Sequence, residues 1–308
     1  MSDKDRILVI VEPDVHPTEV VERASWLARV AKCDLELVLC DPDIGALREG
    51  FFISNEARDI AEKIRTAQKE MIEDLASAPR ASGLEVSTAV MEDRPIADAI
   101  LHRAVDMQPR FILKGTQYHS TAERSIFVDT DWQLVRSCPY PLWLVKPHEI
   151  RAKPVVVAAV DPTHSHDKPA ELDQVIVHNA QAIAKATDGE VHLLHTYHRL
   201  IGVGREATRT FKPIELPVDK LSKKIQAEHR EALESLANEN AIDEAHIHQL
   251  PGDAREILPM FARTHGADLV VMGALARWGL KRAVIGSTAE RVLDHLPCDV
   301  LIVRKPDR

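Results

Sequence analysis

Apolar residues gather in short runs, many of them unbroken, separated by longer stretches in which every third or fourth position is apolar, and this alternation is written twice along the chain. In the first half the runs 7–11, 35–40, 85–91, 111–114 and 142–145 predict strands. The stretch 18–31 predicts a helix with Val20, Ala24, Leu27 and Ala28 on one face, and 56–76, 96–105 and 132–136 predict three more. The second half repeats the order, with strands expected at 155–160, 191–195, 246–250, 269–272 and 300–303. Its helices are expected at 172–186, 219–240, 254–264 and 288–296. In each half the second strand is followed by a long irregular segment, 41–55 and 197–217.

Strands that alternate with helices require crossover connections, which are right-handed and make the strands parallel. The apolar strands, such as 7–11, 142–145, 155–160, 269–272 and 300–303, lack polar alternation, as expected when both sheet faces are covered. The halves align at one offset: Gly115 with Gly273, Thr130 with Thr288 and Val145 with Val303 are each 158 residues apart. A single offset over three landmarks indicates a duplication. The polar, proline-bounded segment from Lys146 to Pro154 reads as the join. The expected fold class is α/β, with two tandem five-stranded parallel-sheet domains at 1–147 and 154–308.

Composition narrows the function classes. The 308 residues are 45% hydrophobic and 28% charged, a soluble globular profile. A formal net charge of −9 opposes bulk binding to nucleic acid, which draws affinity from cations on phosphates. No apolar run approaches the roughly 20 residues of a membrane helix, and the N-terminal run is too short for a signal peptide, so a cytoplasmic protein is expected. The four cysteines are scattered, mostly beside strand-like runs, and read as buried thiols.

The densest candidate chemistry lies just after the run 269–272. Gly273, Ala276 and Gly279 are followed by Lys281, Arg282 and then Gly286-Ser287-Thr288 at an expected helix start. A helix N-terminus exposes unpaired N–H groups and a partial positive charge, so an anion is stabilised there. Glycine lets backbone approach a ligand closely, and Arg277, Lys281 and Arg282 add positive field. A turn glycine and a capping Ser or Thr would look the same without any ligand.

The pattern Gly273-x-x-Ala276-x-x-Gly279, then Gly286-Ser287-Thr288-Ala289-Glu290, resembles the nucleotide-binding signature of the universal stress protein family, G-x-x-G, nine residues, then G-S or G-T. The last strand matches too, and the duplicated layout resembles the tandem E-type members. The resemblance implies a Rossmann-like, adenine-nucleotide alpha-hydrolase-like fold whose halves are related by a pseudo-two-fold. That internal pseudo-dimer is open to further dimerisation, and strand 142–145 is expected beside 300–303. The implied ligand is ATP or a related adenine nucleotide, with or without Mg2+, and the implied role is regulatory binding in a stress response without substantial catalysis. Residues acquire roles by the same route: Asp161 against the adenine, Thr196 at the base edge, Met272 and Gly273 at the ribose and phosphate end. Ala276, Arg277, Gly286, Ser287 and Thr288 complete the expected site. Ala276 departs from the family's glycine, and a Cβ there is costly wherever positive φ is needed.

The first half has lost this signature. Val128 and Asp129 stand where Gly286 and Ser287 stand in the second, and Glu12 replaces Asp161. A carboxylate facing phosphate is repulsive, so a single nucleotide per chain is expected. Of the 15 histidines, His192, His195 and His198 alternate faces if on a strand, while His246 and His248 share one. Without an H-E-x-x-H or Cys/His grouping, no metal site is expected. Walker A, G-x-G-x-x-G and G-x-S-x-G are absent, so no catalytic residue is assigned. Two other readings stay open: slow ATP hydrolysis, or an acyl or nucleotide-sugar ligand beneath the irregular segments.

Overall fold

The first strand, β1 (Arg6–Val11), is apolar from Ile7 onward, and those five residues are at most 1% exposed. Burial on both faces is what a central parallel strand requires. The computed structural model describes residues 5–40, 55–91, 95–116, 130–163, 170–198, 218–273, 292–293 and 295–305. The chain divides into two units. One comprises the described residues up to Glu149 together with Cys298–Arg304; the other begins at Ile150.

In the first unit β1 leads through α1 (Pro17–Ala31) to β2 (Asp34–Cys40), α2 (Asn55–Ala81) and β3 (Val86–Met91). Then follow α3 (Ile96–Met107), β4 (Phe111–Gly115), α4 (Thr130–Ser137) and β5 (Leu142–Val145). The strands lie in the order β3-β2-β1-β4-β5, all parallel. Two details depart from the sequence pattern. α2 runs to Ala81, past Pro79, because Arg80 ties its last turn to Glu73 and to the Val86 carbonyl of β3. In addition, β10 (Asp299–Val303), the last strand of the second repeat, belongs to this unit and pairs antiparallel with β5, Leu301 opposite Trp143. The expected neighbourhood of 142–145 and 300–303 is thus met, and the first unit's sheet is mixed rather than purely parallel.

A buried carboxylate anchors β10. Asp299, with no exposed surface, accepts from Trp143 Nε1 at 2.8 Å and from the Lys146 backbone N–H at 2.9 Å, and it pairs with the Arg23 guanidinium of α1. Arg23 also donates to the His148 carbonyl at 2.6 Å. Burying this charge is tolerable only because its partners satisfy it.

In the second unit β6 (Val155–Ala159), α5 (Ala170–Thr187), β7 (Glu190–Tyr197) and α6 (Val218–Glu239) are followed by a 3-10 turn (Glu244–His246). Then come β8 (Ile247–Pro251), α7 (Ala254–Thr264) and β9 (Leu269–Gly273). Its strands lie in the order β9-β6-β7-β8, again parallel. Asp253 caps α7 by accepting from the Arg255 N–H at 2.9 Å. The expected helix at 288–296 falls largely outside the described residues. Among those described, no helix is long and apolar enough to cross a membrane.

Candidate functional site

In each unit the chain runs outward from its first strand and then returns to that strand's other side. The order therefore reverses between β6 and β9 in the second unit and between β1 and β4 in the first. Open α/β sheets bind ligands outside the carboxyl ends of their strands at such a switch point.

Four of the sequence-predicted site residues reach this place in the second unit. β6 pairs Ala159 with Met272 on β9 and with Leu194 on β7, so Asp161, Thr196, Met272 and Gly273 follow the ends of three adjacent strands. All four are half-buried, whereas Ala158, Leu194 and Val271 behind them are at most 2% exposed. Part-exposure thus sets this strand-end edge apart from the fully packed sheet behind it. Ala276, Arg277, Gly286, Ser287 and Thr288 lie outside the described residues, as do Lys281 and Arg282.

The turn after β6 is held in place. The Asp161 N–H donates to Asp173 Oδ1 on α5 at 3.0 Å, and its carboxylate accepts from Thr163 Oγ1 at 2.9 Å. Beneath it lies buried His195, with Nδ1 3.1 Å from the Val160 carbonyl and Nε2 2.7 Å from His229 Nδ1 on α6. Burial holds the His195 imidazole below its ordinary value, outweighing the opposing pull of the Val160 carbonyl and the Asp161 carboxylate. His195 is thus neutral, and both ring nitrogens are engaged.

The first unit fills the matching place with its own charges. Lys114, on β4, is the counterpart of Met272 at the 158-residue offset. Its side chain is 4% exposed; Nζ lies 2.5 Å from Glu12 Oε2 and 2.7 Å from Asp131 Oδ1 at the start of α4. Burial opposes the charged amine, yet Asp131 and Glu12 prevail and hold its proton more tightly than usual. Glu12, the longer residue at the acid's position, reaches across the switch point to this ammonium. The sequence comparison found the lost glycine but missed this cluster; the signal was a lysine inside an otherwise apolar strand.

The two strand-end glycines owe their identity to packing. A Cβ on Gly115 would stand 2.7 Å from the Val15 carbonyl oxygen and 2.9 Å from Val20 Cγ2. One on Gly273 would stand 2.7 Å from Leu172 Cδ2 on α5. The helix after the first strand packs too closely onto these strand ends for any side chain. That accounts for Gly115 persisting where the rest of the signature has gone.

The histidines separate by face as strand geometry requires. His195 joins His229, whereas His192 turns to the other side and meets His246, His248, His265 and Phe261. The spacing H-x-x-H missed this second group because its members come from β7, β8 and the end of α7. Burial, reinforced by mutual repulsion, pushes His248 down to about 4 and lowers His192 as well. All four cysteines are buried thiols, as expected, and burial pushes Cys40 up to about 12 and Cys138 up to about 11. A separate cavity of about 570 Å³ lies in the first unit between β3 and α3, lined in part by Val90, Met91, Ala99, His102 and Arg103.

Comparison with known proteins then decides the family. The model of the Universal stress protein family matches residues 4–146 and again residues 155–304. The chain belongs to the universal stress protein family. It is 25% identical to Universal stress protein E of Photorhabdus laumondii subsp. laumondii and 26% identical to Universal stress protein E of Escherichia coli K12. Each alignment covers 100% of this chain and 96% of the relative, so the tandem layout is shared throughout. A solved putative universal stress protein from Pseudomonas aeruginosa UCBPP-PA14 superposes with a TM-score of 0.72 at 26% identity, over 99% of this chain and 95% of that one. A functionally unknown protein from Pseudomonas aeruginosa PAO1 gives the same TM-score of 0.72 at 25% identity, covering 99% and 94%. In this tandem universal stress protein the two switch points are chemically unlike, and that difference bears on function.

Proposed function

We propose that this universal stress protein is a regulatory binder of ATP or a related adenine nucleotide, with one site per chain, at the switch point of the second unit. The observation that carries the reading is the contrast between the two crevices. In the first, Lys114, Glu12 and Asp131 form a buried ionic cluster across the switch point. In the second, the uncharged Met272 replaces the lysine and the shorter Asp161 sits half-buried at the rim. An adenine edge offers Asp161 an N–H donor, and the Thr196 backbone lies at the next strand end. Gly286, Ser287 and Thr288 would receive the phosphates, with Arg277 reinforcing the field. Mg2+, when bound, would neutralise phosphate charge.

Binding rather than turnover is supported by the chemistry around the rim. The histidine next to Asp161 has both ring nitrogens engaged, and Asp161 itself is tied to Thr163. A ligand that prefers one conformation of the chain then shifts its population and its choice of protein partners.

Titration of the purified chain with ATP tests the reading. It should saturate at one nucleotide per chain, Gly286→Val should abolish binding, and Val128→Ala should leave it unchanged. Two equivalent sites, or normal binding by a folded Gly286→Val protein, would overturn it. Steady multiple-turnover hydrolysis lost through a single change near Gly286 would replace the binder with an enzyme.

A further inference from the structure

Glu190 and His192 stand two residues apart at the start of β7 and so share one face of the strand. The ladder pairs Leu193 with Ile247, which brings His246, the last residue of the 3-10 turn, beside His192. One donor atom from each of Glu190, His192 and His246 lies within 4.8 Å of the other two. We propose that these three side chains form a binding site for a divalent transition metal of the zinc type, independent of the nucleotide crevice.

The donor set suits that ion. The two imidazoles are borderline donors that suit zinc and its neighbours and not calcium or magnesium, and a single carboxylate beside them is a donor that zinc also accepts. Tetrahedral coordination at about 2.0–2.1 Å places donors roughly 3.4 Å apart, so closure asks for about an ångström of movement between pairs. Glu190 can supply it, because its side chain is 62% exposed while that of His192 is 11% exposed. The same exposure opens the site to solvent, giving an ion a path in and leaving a coordination position for water.

The surroundings orient the central ligand. His192 Nδ1 lies 2.9 Å from His248 Nε2, while its other nitrogen, Nε2, faces Glu190 Oε2 at 3.7 Å. An outer partner on one ring nitrogen is what fixes a metal-binding imidazole and aims the second nitrogen at the ion. His248 is braced in turn: its ring centroid is 4.7 Å from that of Phe261, which stacks on His265 at 3.8 Å. His246 is placed by its turn, where Asp243 accepts from the Ala245 N–H. The competing explanation is a plain hydrogen-bond chain from His248 through His192 to Glu190, which requires no ion.

The position also separates the two sites. Glu190 and Thr196 lie at opposite ends of β7, about 20 Å apart at roughly 3.3 Å per residue. A metal here bridges β7 to the turn that opens β8 and leaves the crevice untouched.

The full chain, stripped with a chelator, is titrated with Zn2+ by calorimetry and with Co2+ by visible absorption. One stoichiometric site per chain is expected, with a Co2+ band stronger than that of the hydrated ion. Glu190→Gln alters an exposed group and His246→Ala a half-buried one at the end of the 3-10 turn, and both should keep the fold, as checked by circular dichroism. Each should weaken Zn2+ about 100-fold or more, and His248→Gln by about 10–100-fold, as outer partners do. The exposed His178, outside the cluster, serves as control, and His178→Ala should bind like the parent. Absence of a stoichiometric site in the parent, or a site that survives both Glu190→Gln and His246→Ala, would overturn the proposal. Nucleotide titration of the same variants reads the other site separately.

Discussion

Replacing Lys114 with Met places in the first unit the residue found at the matching position of the second, at nearly equal volume. The loss is therefore electrostatic. Lys114 touches Glu12 at 2.5 Å, Asp131 at 2.7 Å and the Gly115 carbonyl at 3.2 Å, with 4% of its side chain exposed. Removing one partner of such a buried cluster leaves uncompensated charge and costs about 3–5 kcal/mol, against about 0–1 for an exposed pair. At roughly 2–4 °C per kcal/mol for a unit of this size, the transition should fall by about 6–20 °C. Urea unfolding followed by tryptophan fluorescence reads it well, since Trp26, Trp132 and Trp143 all lie in the first unit. Adding Glu12→Gln and Asp131→Ala removes the stranded carboxylates and should recover most of the loss, because an uncharged replacement of a buried ion cluster is often neutral. A Lys114→Met protein within about 1 kcal/mol of the parent would refute the reasoning, since that is the range of a surface pair. So would a triple variant no more stable than the single one.

Two further outcomes follow from the second unit. Gly273→Ala puts a Cβ 2.7 Å from Leu172 Cδ2 and should destabilise by about 1–3 kcal/mol, and the same change should cost less in a Leu172→Ala background, where the clash is gone; denaturation of both single variants and the double, compared as a double-mutant cycle, checks it, and equal costs in the two backgrounds would refute it. The His195 imidazole titrates below 6.5 in the folded chain because burial disfavours its charge. The unfolded chain therefore takes up a proton first, and the stability His195 contributes is full above about 6.5 and lost as pH falls through the folded value. His195→Gln should accordingly lose less stability than the parent between about pH 7.5 and 5.5; equal losses in denaturant midpoints would refute this.

Much of the fold could be read from the chain. Runs such as Ile7–Val11 and Val155–Ala159 predict parallel strands because burial on both faces leaves no room for polar alternation. Periodicity and burial are local properties, so strands and helices were legible to within a few residues at most ends. The ends of β6, β7 and β9 were legible with them, but Asp161, Thr196, Met272 and Gly273 are named together through the resemblance to the universal stress protein family and not from the pattern itself.

What the chain order alone does not determine is which distant side chains meet. Lys114 reads as an anomaly in an apolar strand until Glu12 and Asp131 close around it. Gly115 reads only as a landmark of the repeat, and Gly273 as a glycine at the phosphate end, until Val15 and Leu172 are seen pressing on them. His192 and His246 are 54 residues apart, and only the parallel ladder between β7 and β8 sets them side by side. Asp299 finds Arg23 across 276 residues because β10 pairs with β5, a choice made by hydrogen bonding at a strand edge. A hydrophobic pattern specifies which face is buried; tertiary register specifies which polar groups must then share that burial, and this second condition placed the charges.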